Sequence, residues 1–231
     1  MKLKNITEIK GQIILRSGLH IGAGDTEMRI GGTDNPVVKH PHSNEPFIPG
    51  SSLKGKVRSL LELRSGLMRF TEGKPVNAKA WENAEGKEKE EALKLLQLFG
   101  TSGADGDSAA KIGPTRASFS DCPLNSTCRN RILEDGAPLT EVKSENSIDR
   151  IRGVAESPRF TERVPAGMEF DFSITLKEME EDDDLTEYLL EGLCLLELDA
   201  LGGSGSRGYG RVEFRFADPE IQKKFDATQA I

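Results

Sequence analysis

The sequence predicts an α+β fold, and three observations carry that reading. Residues Met168 to Leu176, MEFDFSITL, alternate apolar and polar side chains without a break, as a half-buried strand does. Two stretches instead repeat apolar residues at helical spacing: Leu53, Val57, Leu60 and Leu61, and Leu185, Tyr188, Leu189, Gly192, Leu193 and Leu196. Strands at both ends of the chain complete the third. Stripped of insertions, the order is βαβ followed by βαβ, the split arrangement of a ferredoxin-like (RRM-like) fold with helices on one face of an antiparallel sheet.

The elements follow in order. Ile9, Gly11, Ile13 and Leu15 alternate in an opening strand that stops at Ser17-Gly18. The glycine-punctuated stretch to Gly50 is too long for a plain connection, so a functional loop is expected. Pro49-Gly50-Ser51-Ser52 starts the first core helix, with Lys54 and Arg58 on its flank. Arg69 to Lys89 reads as polar and mobile. A short helix with Ala92, Leu93, Leu96 and Phe99 then ends at Gly100, Thr101 to Asp107 reads as a surface loop, and a strand lies around Thr115 to Ser120. The charged region to Arg163 has no clear period. After the strand at Met168 come an acidic helix start, a glycine loop and a last strand in which Val212, Phe214 and Phe216 alternate with Glu213 and Arg215. Core segments are thus expected at about 5–17, 51–65, 112–120, 167–177, 184–201 and 210–217, with insertions at about 18–50, 66–111 and 121–166 of one domain.

Composition limits the function classes. The 231 residues are 36% hydrophobic and 30% charged, which describes a globular chain with a polar surface. No stretch is apolar enough for a signal peptide or a membrane span, so a cytoplasmic protein without membrane contact is expected. The net charge of −7 argues against a nucleic-acid partner until its distribution is seen. Seven acids between Glu178 and Glu187, with no Lys or Arg among them, account for all of it. Acids ahead of a helix that begins near Leu185 suit its positive end. Cys122, Cys128 and Cys194 are expected to be reduced thiols. The spacing of Cys122 and Cys128 is wider than zinc sites use, and even with His40 or His42 a structural zinc is not expected.

The stretch LGGSGSRGYGRVEF, Leu201 to Phe214, holds five glycines between Gly202 and Gly210. Gly203 to Gly208 matches the spacing of a dinucleotide-binding turn, but such a turn leads from strand to helix, and here a helix precedes and a strand follows. That order counts against a nucleotide-binding metabolic enzyme. Successive N–H groups can still cradle an anion, with Arg207 adding charge-assisted bonds. A mobile connection that uses glycine for positive φ is the plain alternative.

Five segments together resemble one known family. They are GLHIGAG (Gly18 to Gly24), IGGTDNPVVK (Ile30 to Lys39), PFIPGSSLKGKVRSLL (Pro46 to Leu61), TEVKSENSIDRIRGVAESPRFTER (Thr140 to Arg163) and LLELDALGGSGSRGYGRVEF (Leu195 to Phe214). The resemblance is to the repeated backbone subunit of type III-A CRISPR (Csm) effector complexes, in the RAMP superfamily. It implies a ferredoxin-like palm with finger and thumb insertions, copies of the chain polymerised along a guide RNA, and contacts to other Csm subunits. It also implies cleavage of the complementary target RNA by attack of a 2′-hydroxyl on the adjacent phosphate, dependent on Mg²⁺ or Mn²⁺.

The resemblance distributes roles residue by residue. Asp34 matches the loop aspartate of the family and is the implied catalytic residue, as metal ligand or as base. His20 is implied in RNA binding, as are Ser51, Ser52, Lys54, Lys56 and Arg58 of the first helix and Gly203, Gly205, Ser206 and Arg207 of the glycine loop. Lys143, Arg150 and Arg159 belong to a thumb-like segment that would cross the guide–target duplex. By charge alternation alone that segment reads as a salt-bridged surface. A scaffold with the same contacts but no cleavage is the alternative.

Overall fold

In the computed structural model, residues 2–24, 35–101, 106–180 and 182–229 are described. A four-stranded sheet in the order β2-β5-β1-β6 forms the centre, built from β1 (Leu3–Leu15), β2 (Ala117–Phe119), β5 (Glu169–Met179) and β6 (Val212–Phe216). All its neighbouring strands are antiparallel. With α1 (Gly50–Ser65) between β1 and β2, and α6 (Thr186–Leu198) between β5 and β6, this is the ferredoxin-like order expected from the sequence.

The alternation in β5 buries Phe170, Phe172, Ile174 and Leu176 and leaves Asp171, Ser173 and Thr175 partly exposed. The buried set joins one core with Leu53, Val57 and Leu61 of α1 and Leu189, Leu193 and Leu196 of α6. Gly192 explains how the two helices come so close: a Cβ there would lie 2.6 Å from Val57 Cγ1. Below the sheet's far end, Phe172, Phe214, Phe216 and Phe225 make edge-on and tilted ring contacts that seat α7 (Pro219–Ala227).

Three expectations are corrected. Arg69 to Lys89 is structured: a 3₁₀ turn at Leu67–Phe70 leads to α2 (Ala78–Asn83) and α3 (Gly86–Phe99). Its buried hydrophobic side chains are Val76, Ala78, Ala80 and Ala84, too small to draw a strong apolar period, with Phe70 and Trp81 packed partly buried against the core. Thr101 to Asp107 is not all loop, because α4 (Gly106–Ile112) begins within it, while residues 102–105 lie outside the described ones. Finally, the charged stretch without a period is a hairpin of β3 (Glu141–Ile148) and β4 (Ala155–Arg163), paired antiparallel with each other as a separate two-stranded sheet. Most side chains on both of its faces are exposed, so neither face needs an apolar stripe. A further helix, α5 (Ser126–Glu134), is capped by the Asn125 side chain, which accepts from the Cys128 N–H.

The acidic run is also divided in a way charge counting missed. Asp182 is buried against Arg116, while Asp184 accepts the Thr186 N–H at the start of α6. Only the second serves the helix end.

Candidate nucleic-acid interface

The glycine loop is sewn to the end of β1. Gly210 N–H donates to Gly18 O, Leu201 N–H to Gly210 O, and Gly203 N–H to His20 O, each at 2.9 Å. Two of the five glycines are demanded by this seam. Gly202 (φ 75°) and Gly210 (φ 72°) are left-handed, and a Cβ would run into the carbonyl oxygens of His20 and Leu201 respectively. At Gly205 a Cβ would meet Ala200 Cβ at 2.9 Å. The approach that these glycines allow is therefore first an approach of the protein to itself. Gly203 differs: its nearest would-be neighbour is His20 Cδ2 at 3.5 Å, an ordinary contact, and the residue is exposed.

Beyond the seam the loop turns outward. Ser204 is left-handed at φ 63° and opens a single 3₁₀ turn, Gly205–Arg207. The N–H groups of Ser204, Gly205 and Ser206 donate to no group among the described residues. Successive free N–H groups next to a left-handed residue form a concavity suited to an anion. Ser206 and Arg207 are exposed beside it.

The hairpin base docks on this loop through Tyr209, which is fully buried although the residues before it, Ser206 to Gly208, are exposed. Lys143 Nζ lies 4.5 Å and Arg163 Cζ 5.0 Å from its ring centroid. The Tyr209 hydroxyl donates to Glu145 Oε1 at 3.1 Å, and Arg207 Nε meets Glu145 Oε2 at 3.1 Å. Gly18 makes room for the Arg163 stem, since a Cβ there would sit 2.6 Å from Arg163 Nε. Glycine loop, strand end and hairpin are one unit.

Glu162 ties the loop after β1 to the same unit. Its N–H donates to Asn35 O (3.1 Å), and its carbonyl accepts from His20 Nδ1 (2.7 Å), which leaves Nε2 of a neutral ring as an acceptor. Its carboxylate takes Val37 N–H (2.9 Å), Lys39 Nζ (2.6 Å) and the Thr140 hydroxyl (2.7 Å). Burial opposes its charge, yet these three donors hold the carboxyl below the usual carboxylate range. Asp34 lies outside the described residues. Its chain neighbour Asn35 bridges to Thr161 of β4 at the hairpin base.

The first helix presents a basic flank beside the loop. Lys56 Nζ pairs with Asp199 Oδ2 at 2.6 Å, where the glycine loop begins. Lys54 has no hydrogen bond or ion pair among the described residues, and burial followed by the Arg58 charge lowers its pKa. Ser51 is exposed and Ser52 half-exposed. Arg58 is different: it bonds Glu62 (2.8 Å), Gly100 O (3.2 Å) and Val76 O (2.6 Å), so its guanidinium holds the helical insertion rather than facing outward. On the hairpin, Arg150 and Arg159 are exposed and make no ion pair among the described residues, whereas Arg152 serves Asp149 and Glu156.

Among the described residues no three His, Cys, Asp or Glu side chains gather as a metal-binding group. Burial, followed by the charges of Asp121 and Asp171, pushes the Cys122 thiol up to about 12, so it is a protonated core group at neutral pH. Cys128 is buried on α5, and the His40 and His42 rings lie tilted against each other on an exposed turn. No described helix is long and apolar enough to cross a membrane.

A family model described as the RAMP superfamily matches residues 12–213, from the last part of β1 to the start of β6. The chain belongs to the RAMP superfamily. Among the curated RAMP relatives, "CRISPR system Cms endoribonuclease Csm3" of Methanothermobacter thermautotrophicus is 40% identical over 223 residues, covering 90% of this chain and 82% of that protein. The Streptococcus thermophilus protein of the same name is 41% identical over 211 residues, with 90% and 86% covered. Of solved RAMP structures, Methanopyrus kandleri Csm3 superposes with a TM-score of 0.60 at 27% identity, over 94% of this chain and 77% of that one. A chain of the Csm3–Csm4 subcomplex of the type III-A CRISPR-Cas interference complex gives 0.55 at 27% identity, over 96% and 85%. Within the RAMP fold, the residues that sequence reasoning passed over are Tyr209, Glu145, Glu162 and Gly18. Only the spacing Gly208-Tyr-Gly210, an aromatic held between glycines, offered a signal.

Proposed function

We propose that this RAMP protein is a repeated backbone subunit of a type III-A CRISPR effector complex, which holds the guide RNA by its sugar-phosphate backbone and cleaves the base-paired target RNA. The observation that carries the reading is the outward turn at Ser204 to Arg207, where three N–H groups without partners among the described residues stand beside an exposed guanidinium. These groups recognise phosphate and are blind to base identity, which leaves sequence to pairing. Lys54, Ser51 and Ser52 extend the surface along α1, and His20 Nε2 is available to accept from a ribose hydroxyl. The names of the relatives support the endoribonuclease activity and assembly with other Csm subunits; guide RNA, complementary target RNA and further copies of the chain are the partners that this reading adds, in the cytoplasm.

Residues 18–50, 66–111 and 121–166 act in this reading as insertions on one palm, with the β3–β4 hairpin as thumb. Lys143, Arg150 and Arg159 meet the guide–target duplex there. Asp34 is the catalytic residue. Cleavage proceeds as the 2′-hydroxyl oxygen attacks the adjacent phosphorus, its proton leaves, and the 5′-oxygen of the next nucleotide departs, giving a 2′,3′-cyclic phosphate. Asp34 either accepts that proton or would help to hold a hard cation. A bound Mg²⁺ or Mn²⁺ would supply charge neutralisation at the phosphate. The assembled complex carrying Asp34→Asn should bind guide and target as wild type while target cleavage falls by roughly 10² or more. Undiminished cleavage would leave only the scaffold role.

A further inference from the structure

Arg207 is not idle in the RNA-free protein. Its side chain is 56% exposed, and it is held by the Ser204 hydroxyl on its own loop and by Glu145 across the seam. Glu145 is in turn fixed from its far side: Tyr209 donates to Oε1, and Lys143 Nζ lies 3.3 Å from the same oxygen. Burial opposes the charge of Glu145, but Tyr209, Lys143 and Arg207 together keep its carboxyl below the usual range, so it is ionised at neutral pH.

A carboxylate offers Arg two oxygens sharing one negative charge, and an RNA phosphate offers two unbridged oxygens sharing the same charge. The two ligands are alternatives at one guanidinium. They differ in what else they reach, because the N–H groups of Ser204, Gly205 and Ser206 have no partner among the described residues with Glu145 in place. A phosphate seated in that concavity gains them in addition.

We infer that Glu145 is a built-in competitor for the RNA site: it occupies Arg207 in place of a phosphate, and docking of RNA exchanges the carboxylate for a phosphate. The inference rests on the reading of Arg207 as a phosphate ligand given above. Exchange of one ion pair for another is close to neutral, so an isolated phosphate or mononucleotide gains little at this point. A strand that engages Arg207, the N–H groups and Lys54 together gains enough to displace Glu145. Since Glu145 sits on β3, its release also loosens one of the bonds that fix the hairpin on the glycine loop.

The test is a double-mutant cycle on the full chain, read by fluorescence anisotropy with a labelled oligouridine RNA at one salt concentration. Glu145→Gln should tighten binding roughly two- to fivefold, the range of an exposed ion pair, and should have no effect in the Arg207→Ala background. Tyr209→Phe, which changes no charge but removes an anchor of Glu145, should tighten binding in the same direction. An equal gain from Glu145→Gln in both backgrounds would mean general charge repulsion and would overturn the inference. No gain from Glu145→Gln, with binding still weakened by Arg207→Ala, would overturn it and leave the phosphate reading intact. Binding indifferent to Arg207→Ala would sink both.

Discussion

Arg116 grips Asp182 with two bonds, Nε to Oδ2 at 2.7 Å and Nη2 to Oδ1 at 2.9 Å, and both side chains are almost wholly buried at 1% and 5% exposure. Gln97 of α3 donates to the same carboxylate at 3.2 Å, and Arg116 also donates to Ile112 O at 2.9 Å. The pair thus clamps the acidic run onto the helical insertion and β2. Removing one member strands the other charge in the interior. Asp182→Ala should lower stability by about 3–5 kcal/mol in urea unfolding. A loss within about 1 kcal/mol, the scale of exposed pairs, would mean that water reaches the site.

Phosphate recognition without base reading has its own signature. Lys54→Ala combined with Arg207→Ala should weaken guide binding alike for unrelated guide sequences. It should also flatten the salt dependence, by about one unit of log–log slope for each phosphate left without its cation. Lys54 anchors nothing among the described residues and the ion pair of Arg207 with Glu145 is partly exposed, so thermal unfolding should be little changed. A defect confined to one guide sequence would contradict backbone recognition.

Neighbouring glycines should separate folding from binding. Gly202→Ala drives a Cβ into the His20 carbonyl at a left-handed position and should cost at least about 1–3 kcal/mol of stability. Gly203→Ala meets only an ordinary contact. It should fold as wild type yet bind RNA less tightly by shielding the open turn. Equal destabilisation of both variants would assign the whole motif to folding.

Glu162 sets an acid limit. Its folded pKa is depressed below the ordinary 4.5, so the stability it contributes is present above that value and is lost as pH falls through the lower folded value. Glu162→Gln should therefore be less stable than wild type at neutral pH, with the gap narrowing below about pH 4.5 in parallel urea titrations. A gap that stays constant across the acid range would show that the carboxylate's charge is not what holds Val37, Lys39 and Thr140.

A 2′-deoxy sugar at the cut position probes the chemistry apart from the protein. Such a target should bind to the assembled complex and remain intact, because the attacking oxygen is gone. Normal cutting would rule out 2′-hydroxyl attack. Chelation by EDTA should abolish cleavage of the ordinary target, and Mg²⁺ or Mn²⁺ should restore it.

The palm was legible where burial is one-sided. β5 shows its period because one face meets the core and the other water, and α1 and α6 because each carries a continuous apolar stripe. α2 was hidden by its alanines, and α7 was missed despite an Asp218-Pro219 start, in which Asp218 accepts the Glu220 N–H. At the site, the glycine loop stood out by composition, but its purpose did not, since the partners of Gly202 and Gly210 are backbone oxygens that no pattern announces. Lys54 and Arg58 look equivalent along the helix; only the tertiary contacts of Arg58 with Gly100 and Val76 tell them apart.

The hairpin's double exposure has a dynamic consequence. A lone two-stranded ribbon is marginal in water, so β3 and β4 owe their shape to the end where Tyr209 and Glu162 hold them. Order must therefore decay with distance from that anchor. Amide hydrogens near Thr161 should exchange slowest and those around the Asp149–Val154 turn fastest, like a spring board clamped at one end. Ile151, 96% exposed at the free end, would sweep the widest arc, so under the proposed function the tip would reach a duplex as a probe that samples many positions before one is kept.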